Sequence, residues 1–455
     1  MNDISLQKFT DWINSYKCST EYLDFRVTDS SRISVFANQD LEEGTVITDI
    51  SSSLVFSSSS SALATIAKNE PQLQDIFDAD PFAALALCVF HELSLGPSSS
   101  FHTYFSTFFP PSSTDSPIFW TTDEASLLEL TSINVKEDKA AIEEIYNDLL
   151  TPIISTFPFY FSSPHFTPSI KQYILVGSFI QAYSFSDHNG FPYLLPLADA
   201  LNARSGRSNV RVVDVEEDDN DCDCDSDCDS DCHNFEPHTH QIVATRPIKK
   251  GEEILNTYGD LNNIDCLSRY GYIDMDNPFT VAEIPLFLVI DYLKTLSRYN
   301  ECFEFLNYCG FIPPQNEYYL CYEQVTPTEV PLNLLAFCGS MAVNSSKLKS
   351  FMEGNQSIDV EVIDHEALEQ YCHFDVDFGV DLDSPDVYSL WILSNSDRIE
   401  TFKILRGMFV YCRDQMAQFL NVSPHNLTKR QHLAIHLIEE QLSVLDELVE
   451  VLSII

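Results

Sequence analysis

Two tyrosines, each followed by glycine, mark the part of the chain best equipped for chemistry. Tyr258-Gly259 closes the run Gly251-Glu252-Glu253-Ile254-Leu255-Asn256-Thr257, and Tyr270-Gly271 follows, with Tyr272 next. Lys249-Lys250-Gly251-Glu252 reads as a turn, and side chains from Glu253 to Asn256 alternate as in a short strand. That strand delivers Thr257 and Tyr258 to its end, where a fixed hydroxyl is useful. Isolated tyrosines are more often core aromatics with hydrogen-bonded tips. A second element upstream weighs against that reading: in Leu194-Leu195-Pro196-Leu197-Ala198-Asp199-Ala200-Leu201-Asn202 an apolar run ends in a carboxylate and, three residues on, an amide. Polar groups that close an apolar run are caps or ligand contacts.

In this order the two segments resemble the SET-domain protein methyltransferases, specifically the class related to the Rubisco large-subunit lysine methyltransferase. In that class a Pro-Leu-Ala-Asp-x-Leu-Asn segment and a Gly-Glu-Glu-Ile-x-x-x-Tyr-Gly segment thread past each other around the cofactor. Phe9-Thr10-Asp11-Trp12 is similar to its opening helix, and Val35-Phe36-Ala37-Asn38-Gln39-Asp40-Leu41-Glu42-Glu43-Gly44 to its first hairpin. His102-Thr103-Tyr104-Phe105, Phe109-Pro110 and Pro117-Ile118-Phe119-Trp120 resemble its insert. Ala182-Tyr183-Ser184-Phe185 and Asn256-Thr257 are closest to the branch that methylates ribosomal and other nuclear or cytosolic proteins.

The resemblance implies methyl transfer from S-adenosyl-L-methionine to a lysine. This is an in-line displacement that requires a free lone pair on the acceptor nitrogen. From a reference pKa of about 10.4, deprotonating lysine near neutral pH costs roughly 4 kcal/mol, and a desolvating aromatic channel lowers that cost. The resemblance casts Tyr258 as the catalytic tyrosine, also close to the transferred methyl. Asn202 would hold the cofactor's polar end, and Asp199 would order the turn that presents it. Tyr272 would lie against the adenine, and Arg32, Ile33 and Ser34 would add main-chain contacts to the cofactor. Tyr270, Phe185 and Tyr183 would bind the substrate side chain.

Three positions depart from the class. Ala203 stands where histidine is usual, Arg32 and Ser34 occupy a hairpin that tends to be glycine-rich, and Tyr183 replaces a frequent arginine. They open the alternative of weaker cofactor binding or an inactive relative, whereas retention of Asn202, Tyr258 and Tyr270 favours activity. A protein-histidine N-methyltransferase on the same fold, or a non-catalytic acidic chaperone or adaptor on a degenerate scaffold, are the competing functions.

The elements expected to position these residues are α+β in class. Residues 1–280 would form a SET-domain β-fold of small sheets with a knot-like core. It would carry a helical insert at about 63–175 and an acidic, disordered loop at about 214–238. Residues 281–455 would form an all-helical domain like the substrate-binding domain of the related enzymes. Short β-branched stretches from Glu21 to Phe56, from Pro192, at Asn209–Val215 and at Gln241–Thr245 read as strands. Pro81–Leu95 and Asp123–Thr151 carry helical spacing. Further on, Ile399, Phe402, Leu405, Phe409, Cys412, Met416 and Phe419 step along one helix face. Ile438, Leu442, Leu445, Leu448 and Leu452 do so after Thr428-Lys429-Arg430-Gln431, which has capping-box form.

At 455 residues the chain exceeds what one core usually supports. Its net charge is −44, and removing the eleven acids between Asp214 and Asp231 still leaves −33, so acidity is global. Such a surface repels nucleic acid and concentrates a Lys/Arg-rich protein substrate, plausibly ribosomal, in a salt-dependent way; solubility alone is the simpler explanation. Thirteen cysteines without a signal peptide argue for reduced thiols. Cys222, Cys224, Cys228 and Cys232, with His233, His238 or His240 nearby, match no standard zinc spacing, and no metal is expected. No stretch is long enough to span a bilayer. The expectation is a soluble, monomeric protein of nucleus or cytoplasm. Gly-rich P-loop, dinucleotide and nucleophile-elbow motifs do not occur.

Overall fold

Short strands joined by tight turns and a set of buried helices make up the first part of the molecule. The structure is a computed structural model and describes residues 3–27, 33–110, 112–215, 239–308, 312–314, 321–353, 398–420 and 427–453. Its chain divides into two compact units. One comprises Met1–Phe119, Lys136–Leu261 and Arg269–Asn277; the other comprises Trp120–Val135, Asn262–Ser268 and Pro278–Ile455.

The strands of the first unit are β1 (Leu23–Val27), β2 (Ile33–Ala37), β3 (Val46–Ile50), β4 (Phe56–Ser57), β5 (Ser184–Ser186), β6 (Pro192–Leu194), β7 (Asn202–Ala203), β8 (Val210–Val215), β9 (Thr239–Ala244) and β10 (Leu255–Asn256). They form small sheets: β1 with β2, β3-β9-β8 and β4-β6-β5, all antiparallel, and the parallel pair β10-β7. Strands β8 and β9 pair from Val210↔Ala244 to Val215↔Thr239, and most of the acidic tract that joins them lies outside the described residues.

The helix Pro81–Leu95 is buried almost continuously from Ala83 to Glu92 and forms the centre of an apolar cluster with Phe56, Tyr104, Phe161 and Phe179. Its start follows from sequence: Asp80 Oδ1 accepts the Ala83 amide at 2.9 Å and Pro81 opens the first turn. A second cluster joins Phe9 and Ile13 of the opening helix (Asp3–Ser15) to β2, β3 and the apolar run before Asp199.

The stretch Asp123–Thr151, which carries helical spacing, is helical in pieces and not throughout. Thr122–Ala125 and a 3-10 turn, Ser126–Leu128, end before residues 129–134, and helix resumes only at Val135. The Ser132 amide and hydroxyl donate to the buried Glu283 carboxylate at 2.6 and 2.7 Å, so local polar groups have a side-chain partner in place of a helical one. Glu283 belongs to the second unit, as does Trp120–Val135, which takes that segment out of the insert.

The second unit is helical in the main, with helices including Leu286–Lys294, Leu332–Ala342, Arg398–Ala417 and Lys429–Val451 around one apolar cluster. It is not all-helical: β11 (Ala282–Pro285), buried throughout, pairs antiparallel with β12 (Tyr322–Val325). The capping box before the last helix is present: Thr428 Oγ1 accepts the Gln431 amide at 3.2 Å and Gln431 Oε1 accepts the Thr428 amide at 2.9 Å. On the preceding long helix Phe402, Leu405, Phe409, Cys412 and Met416 are buried, whereas Ile399, in the first turn, is 58% exposed. Among the described residues no single helix is long and apolar enough to cross a membrane.

Candidate active site

The parallel pair β7-β10 brings the two sequence motifs together. Leu255 lies opposite Asn202, and Asn256 opposite Ala203. Asn209, fully buried, locks this arrangement: its amide nitrogen donates to the Glu253 carbonyl at 2.8 Å and its amide oxygen accepts the Leu255 N–H at 2.8 Å. Its own backbone N–H donates to the Leu255 carbonyl at 2.9 Å. One asparagine thus satisfies a strand too short to satisfy itself.

Asn202 then reaches across to β2. Its Nδ2 lies 3.2 Å from the Ile33 carbonyl, 2.8 Å from Ser34 Oγ and 2.8 Å from Glu253 Oε1, two N–H groups shared among three acceptors. A carbonyl and a carboxylate on that side fix the amide's orientation, because an oxygen there would face two other oxygens. Asn202 Oδ1 is therefore turned away from Glu253.

Beyond β10 the chain runs into Tyr258. Its ring stacks on Tyr270, with centroids 4.5 Å apart and planes 12° from parallel, and Tyr270 meets Tyr272 at 6.1 Å and 52°. Gly271 makes this ladder possible. Its φ is +73°, and a Cβ there would sit 2.4 Å from the Ser116 amide nitrogen and 2.6 Å from the Asp115 carbonyl carbon. Only glycine allows so close a backbone approach between two tyrosines. Burial first, then the phenols of Tyr183 and Tyr270, the Asp199 carboxylate and Tyr272, hold the Tyr258 hydroxyl well above the usual phenol range. It stays protonated at neutral pH.

Two cavities meet at this ladder. One, of about 730 Å³, is lined by Ile33, Ser34, Asn202, Glu253 and Tyr272; the other, of about 650 Å³, by Phe185, Asn256, Thr257 and Arg269. Ala182, Tyr183, Asp199, Tyr258 and Tyr270 line both. Ile33, Ser34, Asn202 and Tyr272, expected at a cofactor, line the first cavity and not the second, and Phe185, expected at a substrate side chain, lines the second and not the first; Asp199, Tyr258, Tyr183 and Tyr270 line both.

Asp199 is placed differently from its assigned role of ordering the turn. The turn Ala198–Ala200 closes through backbone bonds, including Ala200 N–H to the Leu197 carbonyl at 3.2 Å. The Asp199 carboxylate, 8% exposed, accepts instead the hydroxyl of the fully buried Tyr104, from the helix His102–Phe108. Burial raises Asp199 well above the ordinary carboxylate range, and Tyr104 lowers it only in part.

Sequence reasoning gave no role to Tyr104, Glu253 or Asn209. Glu253 sits in the quoted strand, where alternation with Ile254 already turns it to the opposite face; Tyr104 and Asn209 carry no local signal. Arg32 lies outside the described residues, as do Cys222, Cys224, Cys228, Cys232, His233 and His238. His240 is described: its Nε2 lies 3.0 Å from both Tyr193 Oη and Asp214 Oδ1, within β9. Among the described residues no group of three or more His, Cys, Asp or Glu could hold a metal.

The chain is similar to known proteins. The N-lysine methyltransferase setd6 of Salmo salar is 25% identical over 300 residues, 62% of this chain and 60% of that protein. Ribosomal lysine N-methyltransferase 4 of Saccharomyces cerevisiae is 25% identical over 307 residues, 62% of this chain and 57% of that protein. The chain thus spans about three fifths of the curated relatives it matches. A solved structure described as the SET domain of LSMT bound to lysine and AdoHcy has a TM-score of 0.61 with it. That likeness covers 99% of this chain and 91% of the other at 14% identity, and is one of fold. The SET domain family model matches residues 32–259, half of the chain, from β2 through both motifs to the glycine after Tyr258, and the chain belongs to the SET domain family.

Proposed function

We propose that the chain is a protein-lysine N-methyltransferase that uses S-adenosyl-L-methionine and acts on a basic protein. The observation that carries this reading is the pair of cavities meeting at Ala182, Tyr183, Asp199, Tyr258 and Tyr270. Such an arrangement offers two reactants separate cavities with Tyr258 in the wall of both.

The cavity of about 730 Å³ suits the cofactor in size and in chemistry. Tyr272 offers an aromatic face for the adenine, and Asn202 Oδ1, oriented by Ile33, Ser34 and Glu253, offers an acceptor for an ammonium group. The backbone of Ile33 and Ser34 completes that wall. When bound, the cofactor supplies an electrophilic sulfonium methyl.

On the other side, Tyr183, Phe185 and Tyr270 form an aromatic lining that disfavours the charged form of an entering ammonium. Tyr258, held protonated, orients the nitrogen lone pair and the methyl by its hydroxyl dipole. Ala203 brings no side-chain contact, so cofactor affinity depends on Asn202 more than in the histidine-bearing pattern.

A ribosomal protein is the proposed substrate class. It is supported by the name of the yeast relative and by a net charge of −44, which draws in lysine-rich proteins. Calorimetric titration with S-adenosylmethionine, then tritiated methyl transfer to acid-extracted ribosomal proteins and to matched Lys and His peptides, tests the reading. Saturable cofactor binding with label on lysine, weakening as salt rises, is expected. Label on histidine alone, or no cofactor binding, would overturn it.

A further inference from the structure

We propose that the Asp199 carboxylate takes the proton from the incoming ammonium, and that Tyr104 is a positioning residue that holds this carboxylate at the junction of the two cavities. The inference rests on the methyltransferase reading above and gives that site its proton acceptor.

The geometry singles out Asp199. Of the five residues that line both cavities, it alone is a carboxylate; the others are an alanine and three tyrosines. Glu253 lies on the first cavity only, bound to the Asn202 amide, and Asp80 lies on the second only, capping its helix. Tyr258 lines both cavities with Asp199.

Two phenols interact with it, Tyr104 and Tyr258, and Tyr183, Tyr270 and Tyr272 interact with Tyr258 in turn. Tyr104 comes from the helix His102–Phe108, Tyr183 from the end of the helix Ile170–Tyr183, and Tyr258, Tyr270 and Tyr272 from the segment after β10. The other charged residues lining the first cavity are Arg204, Glu253, Asp274 and Asp276, and those lining the second are Arg269 and Asp80. Burial drives the Tyr104 and Tyr258 phenols well above their usual range, which removes them as acceptors at neutral pH; it raises Asp199 as well, so the acceptor is the ionised form of that carboxyl, whose share grows as pH rises.

The step balances without a further reactant. One N–H bond of the ammonium breaks, its electron pair remains on nitrogen as the lone pair needed for methyl transfer, and an O–H bond forms on Asp199. Oδ2 keeps its hydrogen bond from Tyr104, so the proton goes to Oδ1. It then leaves to solvent through the second cavity.

Asp199→Asn tests this, because the amide oxygen still accepts from Tyr104 while the proton has nowhere to go. With tritiated S-adenosylmethionine and acid-extracted ribosomal proteins, kcat/KM at pH 7.5 should fall roughly 10²- to 10³-fold. The deficit should shrink with unit slope towards pH ~10, where free lysine loses its own proton. A pH profile parallel to the unmodified protein's, or unchanged turnover, would sink the proposal and leave the methyltransferase reading intact. Infrared titration of the protein alone gives a second readout. A protonated carboxyl band should persist above the ordinary Asp range of ~4, vanish in Asp199→Asn and persist to still higher pH in Tyr104→Phe. Absence of that band overturns the proposal whatever the turnover. No methyl transfer by the unmodified protein, with the band present, overturns the reading and the catalytic step together. Should Asp199→Asn not fold, Tyr104→Phe must move the acid limb of kcat/KM upward in pH; an unmoved limb counts against the proposal.

Discussion

The Tyr258 ring stacks on Tyr270 at 4.5 Å and 12° from parallel, so its placement depends on the ring face and its chemistry on the hydroxyl alone. Tyr258→Phe keeps the stack and removes only the oxygen. Turnover should fall about 10²- to 10³-fold, the range seen when one transition-state donor is deleted, with melting temperature and cofactor affinity nearly unchanged. Single-turnover kinetics with calorimetry would check both. Retained turnover would refute the catalytic role.

Asn202→Ala acts on the other cavity. It removes the amide that sits among the Ile33 carbonyl, Ser34 Oγ and Glu253, and leaves the Glu253 carboxylate without that donor. Calorimetry should show S-adenosylmethionine affinity reduced by about 1–3 kcal/mol, with a smaller effect on the fold. Glu253→Gln, which keeps a neutral acceptor opposite Asn202, should weaken binding less. Equal affinities in all three proteins would remove Asn202 and Glu253 from the cofactor site.

Gly271→Ala is expected to be costly for a reason that no side-chain contact conveys. The added Cβ meets backbone at Ser116 and Asp115 closer than 3 Å, and φ is +73°. Relief requires moving either the 115–116 loop or the Tyr270–Tyr272 ladder. A loss above 2 kcal/mol in denaturant unfolding is expected, with lower turnover in whatever remains folded. Gly44→Ala, which shares the positive φ but has nothing within 4 Å, separates backbone strain from crowding.

What was legible in the sequence were residues whose type is unusual for their place. An amide and a carboxylate closing an apolar run, and tyrosines paired with glycines, all prove to line the two cavities. Helix Pro81–Leu95 and the Thr428 capping box are local devices and fall where periodicity and capping chemistry put them. What was not legible depends on long-range pairing. Tyr104 reads as one aromatic among many until Asp199, far along the chain, is seen to accept its hydroxyl. Ser132 sits in a helix-forming stretch, and only the distant Glu283 explains the break. Ile399 keeps helical spacing yet is exposed, because the first turn of a helix can run beyond the surface it packs on.

The second unit offers a test of pH dependence that is independent of catalysis. Glu124 accepts the Thr121 amide at 3.0 Å, closing its own capping box, and the Thr428 hydroxyl at 3.0 Å, with Arg430 Nη1 at 3.4 Å. Burial alone would raise its pKa, but these donors outweigh it and hold the carboxyl below the usual range. A carboxylate whose folded pKa is depressed adds stability above its unfolded value of about 4.3 and loses it as pH falls through the folded value. Glu124→Gln should therefore cost about 1 kcal/mol at pH 7, with the difference from the unmodified protein closing below pH ~4. Urea unfolding at pH 7, 5 and 3.5 measures this. A pH-independent difference would mean that packing, and not charge, holds the segment, since loss of shape alone carries no proton.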